Sequence, residues 1–143
     1  MSAYRKVLVP LDLSDDSDQV AVAARDLAAY SSAALVILHV VEFVPIGPMG
    51  DTLMPTDQIE DGLAKVARGK LAELVGRLNL KVSAARVEVG NTKAEILRVA
   101  EEEKADLIVM GSRERHGVAI LVNFTEDTVL HGAHCDVLAI RLK

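Results

Sequence analysis

Tryptophan is absent from this chain, and its aromatic side chains are two Phe and two Tyr. A core built by these 143 residues must therefore be filled with Val, Leu, Ile and Ala, since half the composition is apolar. Such side chains suit parallel strands buried on both faces beneath alanine-rich helices. The single cysteine, Cys135, excludes an internal disulfide and precedes an apolar tail, where it reads as a small packing residue. Clusters of positive charge are also missing. Sixteen Lys and Arg against twenty-one Asp and Glu leave a formal charge of −5. No run of cations could neutralise a row of phosphates, so neither nucleic acid nor anionic membrane is an expected partner. The apolar run at residues 7–11 is too short for the core of a signal peptide, and no later run could span a bilayer. The expectation is one cytoplasmic domain covering residues 1–143, large enough to fold without disulfides or metals.

What is present is a regular alternation of apolar runs with amphipathic ones. Strands are expected at 6–11, 34–41, 81–89, 106–110 and 137–142. Between them, Val20, Ala23, Ala24, Leu27 and Ala28 recur at helical spacing, with Ser14 as the expected cap and acids following it. A second helix is expected over 57–78 on the stripe Ile59, Leu63, Val66, Ala67, Leu71, Leu74, Val75 and Leu78. Thr92-Lys93-Ala94-Glu95 has capping-box spacing and should open the third helix. That helix ends in Glu101-Glu102-Glu103-Lys104, read as a solvated face. Residues 125–130 begin the last helix. Residues 42–56, with Pro45, Gly47, Pro48, Gly50 and Pro55, form the expected mobile loop, and 111–123 a second long loop.

Five strands with four helical crossovers predict a doubly wound α/β fold, a five-stranded parallel sheet of order 3-2-1-4-5 with helices on both faces. Binding in such a sheet falls beyond the strand ends where the order reverses, between strands 1 and 4. Two features land there: Val9-Pro10-Leu11-Asp12-Leu13-Ser14 and Met110-Gly111-Ser112-Arg113. The sheet's last strand, with Val137, Leu138, Ala139, Ile140, Arg141 and Leu142, would be an edge that is apolar on both faces. Such an edge invites antiparallel pairing with a second copy about a two-fold axis.

Four stretches carry a family likeness: Lys6-Val7-Leu8-Val9-Pro10-Leu11-Asp12, Leu38-His39-Val40-Val41, Ala105-Asp106-Leu107-Ile108-Val109-Met110-Gly111-Ser112-Arg113 and Cys135-Asp136-Val137-Leu138-Ala139-Ile140. In this order and at these separations the chain resembles the universal stress protein family over its whole length, and within it the branch like universal stress protein A. The resemblance implies a Rossmann-like fold of the adenine nucleotide alpha hydrolase type, a homodimer through the last strand and a role in stress response. Nucleotide-binding members carry Gly, two residues, Gly, nine residues, then Gly followed by Ser or Thr. Here Gly111 and Thr125 hold the outer positions, Glu114 and Phe124 replace the inner glycines, and Gly117 is out of register. Glutamate brings negative charge toward phosphate, and the Phe side chain obstructs close backbone approach. Arg113, Arg115 and His116 offer compensating positive charge. The resemblance places Asp12 beside the nucleotide and the Val40 backbone against adenine, so the candidate cofactor set is Asp12, Val40, Met110, Gly111, Arg113 and Thr125.

Plainer roles compete with these. Asp12 would also serve as a turn residue, and His39 as a hydrogen-bonded core histidine. His131, His134, Cys135 and Asp136 are too nearly adjacent to converge on one metal ion. Met49 and Met54 would cover the crevice or pack at an interface. Ser112 lacks the Gly-x-Ser-x-Gly elbow, and neither a P-loop nor a Gly-x-Gly-x-x-Gly fingerprint occurs. The expectation is therefore a non-enzymatic homodimer that requires no cofactor and binds ATP weakly or not at all. The alternative is an ATP- or AMP-binding switch in which 42–56 and 111–124 close over the nucleotide. As a slow ATPase it would use Asp12 for magnesium and Thr125 for phosphate.

Overall fold

A computed structural model describes residues 4–42, 56–113 and 125–142. Its elements run β1 (Lys6–Pro10), α1 (Ser17–Ser31), β2 (Ala34–Val41), α2 (Thr56–Arg77), β3 (Ala84–Val89), α3 (Thr92–Glu103), β4 (Leu107–Arg113), α4 (Thr125–Gly132) and β5 (Asp136–Leu142). The strands form one parallel sheet of order β3-β2-β1-β4-β5, as the alternation predicts.

Strand pleating divides the core in two. Val7, Val9, Leu35, Ile37, Leu107 and Val109 face Val20 and Ala24 of α1 and Leu71 and Leu74 of α2. The intervening residues Leu8, Val36, Leu38, Ile108 and Met110 face Ile96 and Val99 of α3 and Val129 of α4. At the amino ends of the strands, the Asp106 carboxylate accepts the backbone N–H of Arg5 at 2.8 Å and of Lys6 at 3.0 Å. The Tyr4 hydroxyl donates to Asp136 Oδ2 at 2.9 Å. This end of the sheet is thereby fastened across β1, β4 and β5.

Several local expectations are corrected. Asp16, not Ser14, is the N-cap of α1, and it makes no side-chain capping bond. Ser14 is drawn into a turn instead, its N–H donating to Asp12 Oδ1 at 2.9 Å. Asn91 rather than Thr92 caps α3, accepting the Ala94 N–H at 2.9 Å. Thr92 is already helical, its N–H donates to Glu42 at 2.8 Å, and Glu95 pairs forward with Arg98. On α2 the core side is Ala64, Ala67, Leu71 and Leu74, while Leu63 and Val66 are exposed; alanine lets the helix lie close over the sheet. The acidic end of α3 is more than a solvated face. Glu102 and Glu103 both accept from Arg86 on β3 at 3.0 Å, and Glu103 also pairs with Lys6.

Strand β4 is longer than its apolar run. Residues 111–113 were expected to open a loop, yet Gly111, Ser112 and Arg113 pair with Ile140, Arg141 and Leu142 because β5 continues alongside them. The remainder of that expected loop, with Glu114, Arg115, His116, Gly117 and Phe124, lies outside the described residues. So does most of 42–56, with Met49 and Met54.

Candidate functional site at the carboxyl ends of strands 1 and 4

The two sides of β1 behave differently. Toward β2 its register is continuous from Lys6 to Pro10, and the Leu11 N–H extends it by donating to Leu38 O at 2.7 Å. Toward β4 it pairs only at Val7 and Leu8. Beyond that point β4 follows β5 out to Arg113 while β1 stays with β2. The sheet therefore opens at its carboxyl end between β1 and β4, where the strand order reverses and an open α/β sheet binds its ligands.

Asp12 stands just past the end of β1, on one side of this opening. Its Oδ1 accepts both the Ser14 N–H and, at 3.1 Å, the Ser17 hydroxyl at the first turn of α1. Burial pushes the Asp12 carboxyl up, but hydrogen bonds from the Ser14 side chain and backbone and from Ser17 outweigh it. The net effect is to hold Asp12 below its usual range, as a carboxylate at neutral pH. The turn role expected of Asp12 is thus observed, at a residue that also borders the opening. Between Asp12 and Ser14, Leu13 has φ of 61°, a left-handed conformation that costs a bulky side chain ~1–2 kcal/mol. Among the described residues, the other non-glycine positions with positive φ, Ser32, Asn79 and Lys104, sit at helix ends, where that conformation is ordinary. Leu13 does not, and strain of this kind collects at functional sites.

His39 supports the same turn. Its Nδ1 lies 2.7 Å from Leu11 O, so it carries the proton and donates to the carbonyl just before Asp12. Sequence reasoning anticipated a satisfied histidine. It missed that the bond fixes the site's own turn, and it had no signal for the Leu13 backbone. Val40 is buried near the end of β2, with its side chain among the apolar residues under α3 and its backbone in register with Glu88.

On the other side of the opening, Met110 is buried in the core beneath α3 and α4. Gly111 has a packing reason to be glycine. A Cβ there would lie 2.8 Å from Leu142 Cδ1 and 3.1 Å from Val20 Cγ2, so its small size seats α1 and β5 against β4. Arg113 ends β4 and Thr125 begins α4. The fold brings Asp12 and residues 110–113 to the two walls of one opening and sets Val40 a strand further away. Elsewhere, Cys135 packs half-buried against the core under α3 and α4; burial, then Asp136 and Asp106, raise its thiol pKa. Among the described residues no group of three or more His, Cys, Asp or Glu could hold a metal, and no helix is long and apolar enough to cross a membrane.

A parallel sheet sandwiched by helices, with a carboxylate at an opening where strand order reverses, defines the class of doubly wound α/β domains. Comparisons with known proteins narrow it. The profile of the Universal stress protein family matches residues 3–141. Universal stress protein A homolog 2 of Coxiella burnetii is 38% identical, the alignment covering 100% of this chain and 99% of that one. A crystal structure of a universal stress protein in complex with cAMP is 27% identical, with a TM-score of 0.76 over 97% of this chain and 98% of the other. A universal stress family protein of Burkholderia pseudomallei is also 27% identical, with a TM-score of 0.72 over 98% of each chain. The chain belongs to the universal stress protein family.

Proposed function

We propose that this protein is a cytoplasmic stress-response module that acts as a homodimer through β5, performs no catalysis and binds ATP weakly or not at all. The observation that carries this reading is the state of β5. Although paired with β4 along its whole length, it has no fully buried residue, and Leu138 is 40% exposed. An outer strand with Val, Leu, Ala and Ile at its centre, and no further strand beside it among the described residues, leaves apolar surface that antiparallel contact with the same strand of a second copy would cover. The altered phosphate motif supports the second half of the reading. Glu114 and Phe124 stand at its two inner glycine positions. Gly111, at an outer position, has a packing explanation independent of phosphate.

A second reading, an adenine-nucleotide switch, is favoured by the Asp12 turn at the opening and by the relative whose structure holds cAMP. Sedimentation velocity across a micromolar concentration series, followed by calorimetry with ATP, AMP and cAMP, separates the two. A dimer with no submillimolar nucleotide binding is the expected result. A stable monomer would overturn the dimer. Submillimolar binding lost in Asp12→Ala would replace the module with the switch.

A further inference from the structure

Residues 17–20, the first turn of α1, touch three parts of the molecule at once. Ser17 is buried and donates its hydroxyl to Asp12 Oδ1 at 3.1 Å, on the β1 side of the opening. Gln19 reaches the outer strand, its side-chain amide donating to Arg141 O at 3.4 Å. Val20 and Leu142 meet over Gly111 on the β4 wall, their nearest atoms 3.1 Å and 2.8 Å from the position of a Cβ there. The N-cap Asp16 makes no side-chain capping bond. The start of the helix is instead tied to the turn before it by the Ser17 hydroxyl and by the Ser17 N–H, which donates to Ser14 O at 3.0 Å. A shift of the turn is therefore a shift of this end of α1.

We propose that this first turn is a lever through which the state of the Asp12 turn sets the strength of self-association at β5; the regulation presupposes the β5 dimer proposed above. In the held state the Asp12 carboxylate keeps the Ser14 N–H and the Ser17 hydroxyl, and Leu13 stays left-handed at φ 61°. In the released state a donor or cation in the opening takes the carboxylate, and Leu13 relaxes to the right-handed conformation that a leucine prefers. His39 keeps hold of Leu11 O, so the movement passes forward into α1 rather than back into β1. Leu13, Ile140 and Leu142 all pack on the core that contains Val20, so the relaxation arrives where α1 meets β5.

The carboxyl half of β5 is the part that yields. Arg141 and Leu142 rest against Gln19 and Val20, so they loosen when those two move. Antiparallel pairing about a two-fold sets the carboxyl half of one copy against the amino half of the other. Loosening at 140–142 therefore removes pairing at both ends of the contact. The held turn favours the dimer and the released turn the monomer. Linkage makes the relation reciprocal: a ligand drawing on Asp12 binds the monomer more tightly than the dimer, by the factor by which it weakens association.

Sedimentation equilibrium and residue-resolved hydrogen exchange on the full chain test the lever. Ser17→Ala, and separately Asp12→Ala, should weaken the dimer at least fivefold and speed amide exchange over 140–142 at least tenfold, with exchange along β3 unchanged. Gln19→Ala should also weaken the dimer. Ser17→Ala with Gln19→Ala should weaken it by less than the product of the two single effects, because both cut one connection. Ile96→Val, a destabilising change in the core on the other face of the sheet, should leave the dimer at wild-type strength. Faster exchange at 140–142 should appear with Ser17→Ala even in a Leu138→Arg background, where dissociation cannot cause it. The lever is overturned by wild-type association and exchange in Ser17→Ala, by single effects that multiply, or by equal weakening from Ile96→Val. Association that Leu138→Arg leaves unchanged would remove the β5 dimer and its regulation together, a failure read apart from the lever's own.

Discussion

The two edges of the sheet solve the same problem in opposite ways. Strand β3 ends the sheet with charge. Arg86 sits between Glu88, Glu102 and Glu103, and Arg98 gathers Glu88, Glu95 and Glu102. Burial alone would lower the pKa of the Arg86 guanidinium, but its bonds to Glu102, Glu88 and Glu103 reverse that and raise it. An edge strand held in such a network is a poor template for another strand. Strand β5 has Val137, Leu138, Ala139 and Ile140 where β3 has its charges. The difference separates an edge closed by charge from one whose apolar surface is available to the proposed dimer.

The comparison breaks most sharply at Leu138. Placing a charge there with Leu138→Arg should weaken the proposed dimer roughly a hundredfold, about 2.8 kcal/mol, and leave a folded monomer. Sedimentation equilibrium reads the change; a dimer of unaltered affinity would remove β5 from the interface. Next in size is Arg86→Met, which leaves three carboxylates around a half-buried site without their shared cation. A loss of about 1–2 kcal/mol in urea unfolding is expected, reduced by added salt, with no change in oligomeric state. If the variant also associates through β3, the charge network guards the edge more than it stabilises the chain. The smallest effect, about 1 kcal/mol, belongs to Gly111→Ala, whose Cβ must displace Leu142 on β5 and Val20 on α1. Hydrogen exchange should show protection lost along β5 and retained along β3. Equal loss at both edges would mean that Gly111 does not seat β5 in particular.

The sheet was legible in the sequence because continuous Val, Leu and Ile runs such as 34–41 have few other places to go in a chain this size. Helix ends were less so. Three helices close through left-handed Ser32, Asn79 and Lys104, and in each the next residue donates its N–H to a carbonyl five residues earlier. None of these closures uses the glycine that would have signalled it. The capping box misled for a related reason: Asn91 is one residue earlier and is the better cap. At the site, Asp12 and residues 110–113 were found from where strands end. The His39 bond was hidden because it depends on β2 lying beside the turn, and the Leu13 conformation because no residue type announces it. Gly111 was read for phosphate when its neighbours in space, Val20 and Leu142, give it a second cause. Glu102 and Glu103 looked solvated since nothing local shows that Arg86 comes to rest beneath them.

One further consequence lies in the contrast between the two ends of β1. Its amino end is fastened by the Asp106 carboxylate, and its carboxyl end parts from β4 after Leu8. The strand works like a seam with a stop at the bottom. Spreading of the upper walls would have to break the Asp106 bonds and the pairing at Val7 and Leu8 before it could run down the sheet and disturb the register of the core. A fold stitched this way keeps its foundation while its mouth is free to diverge.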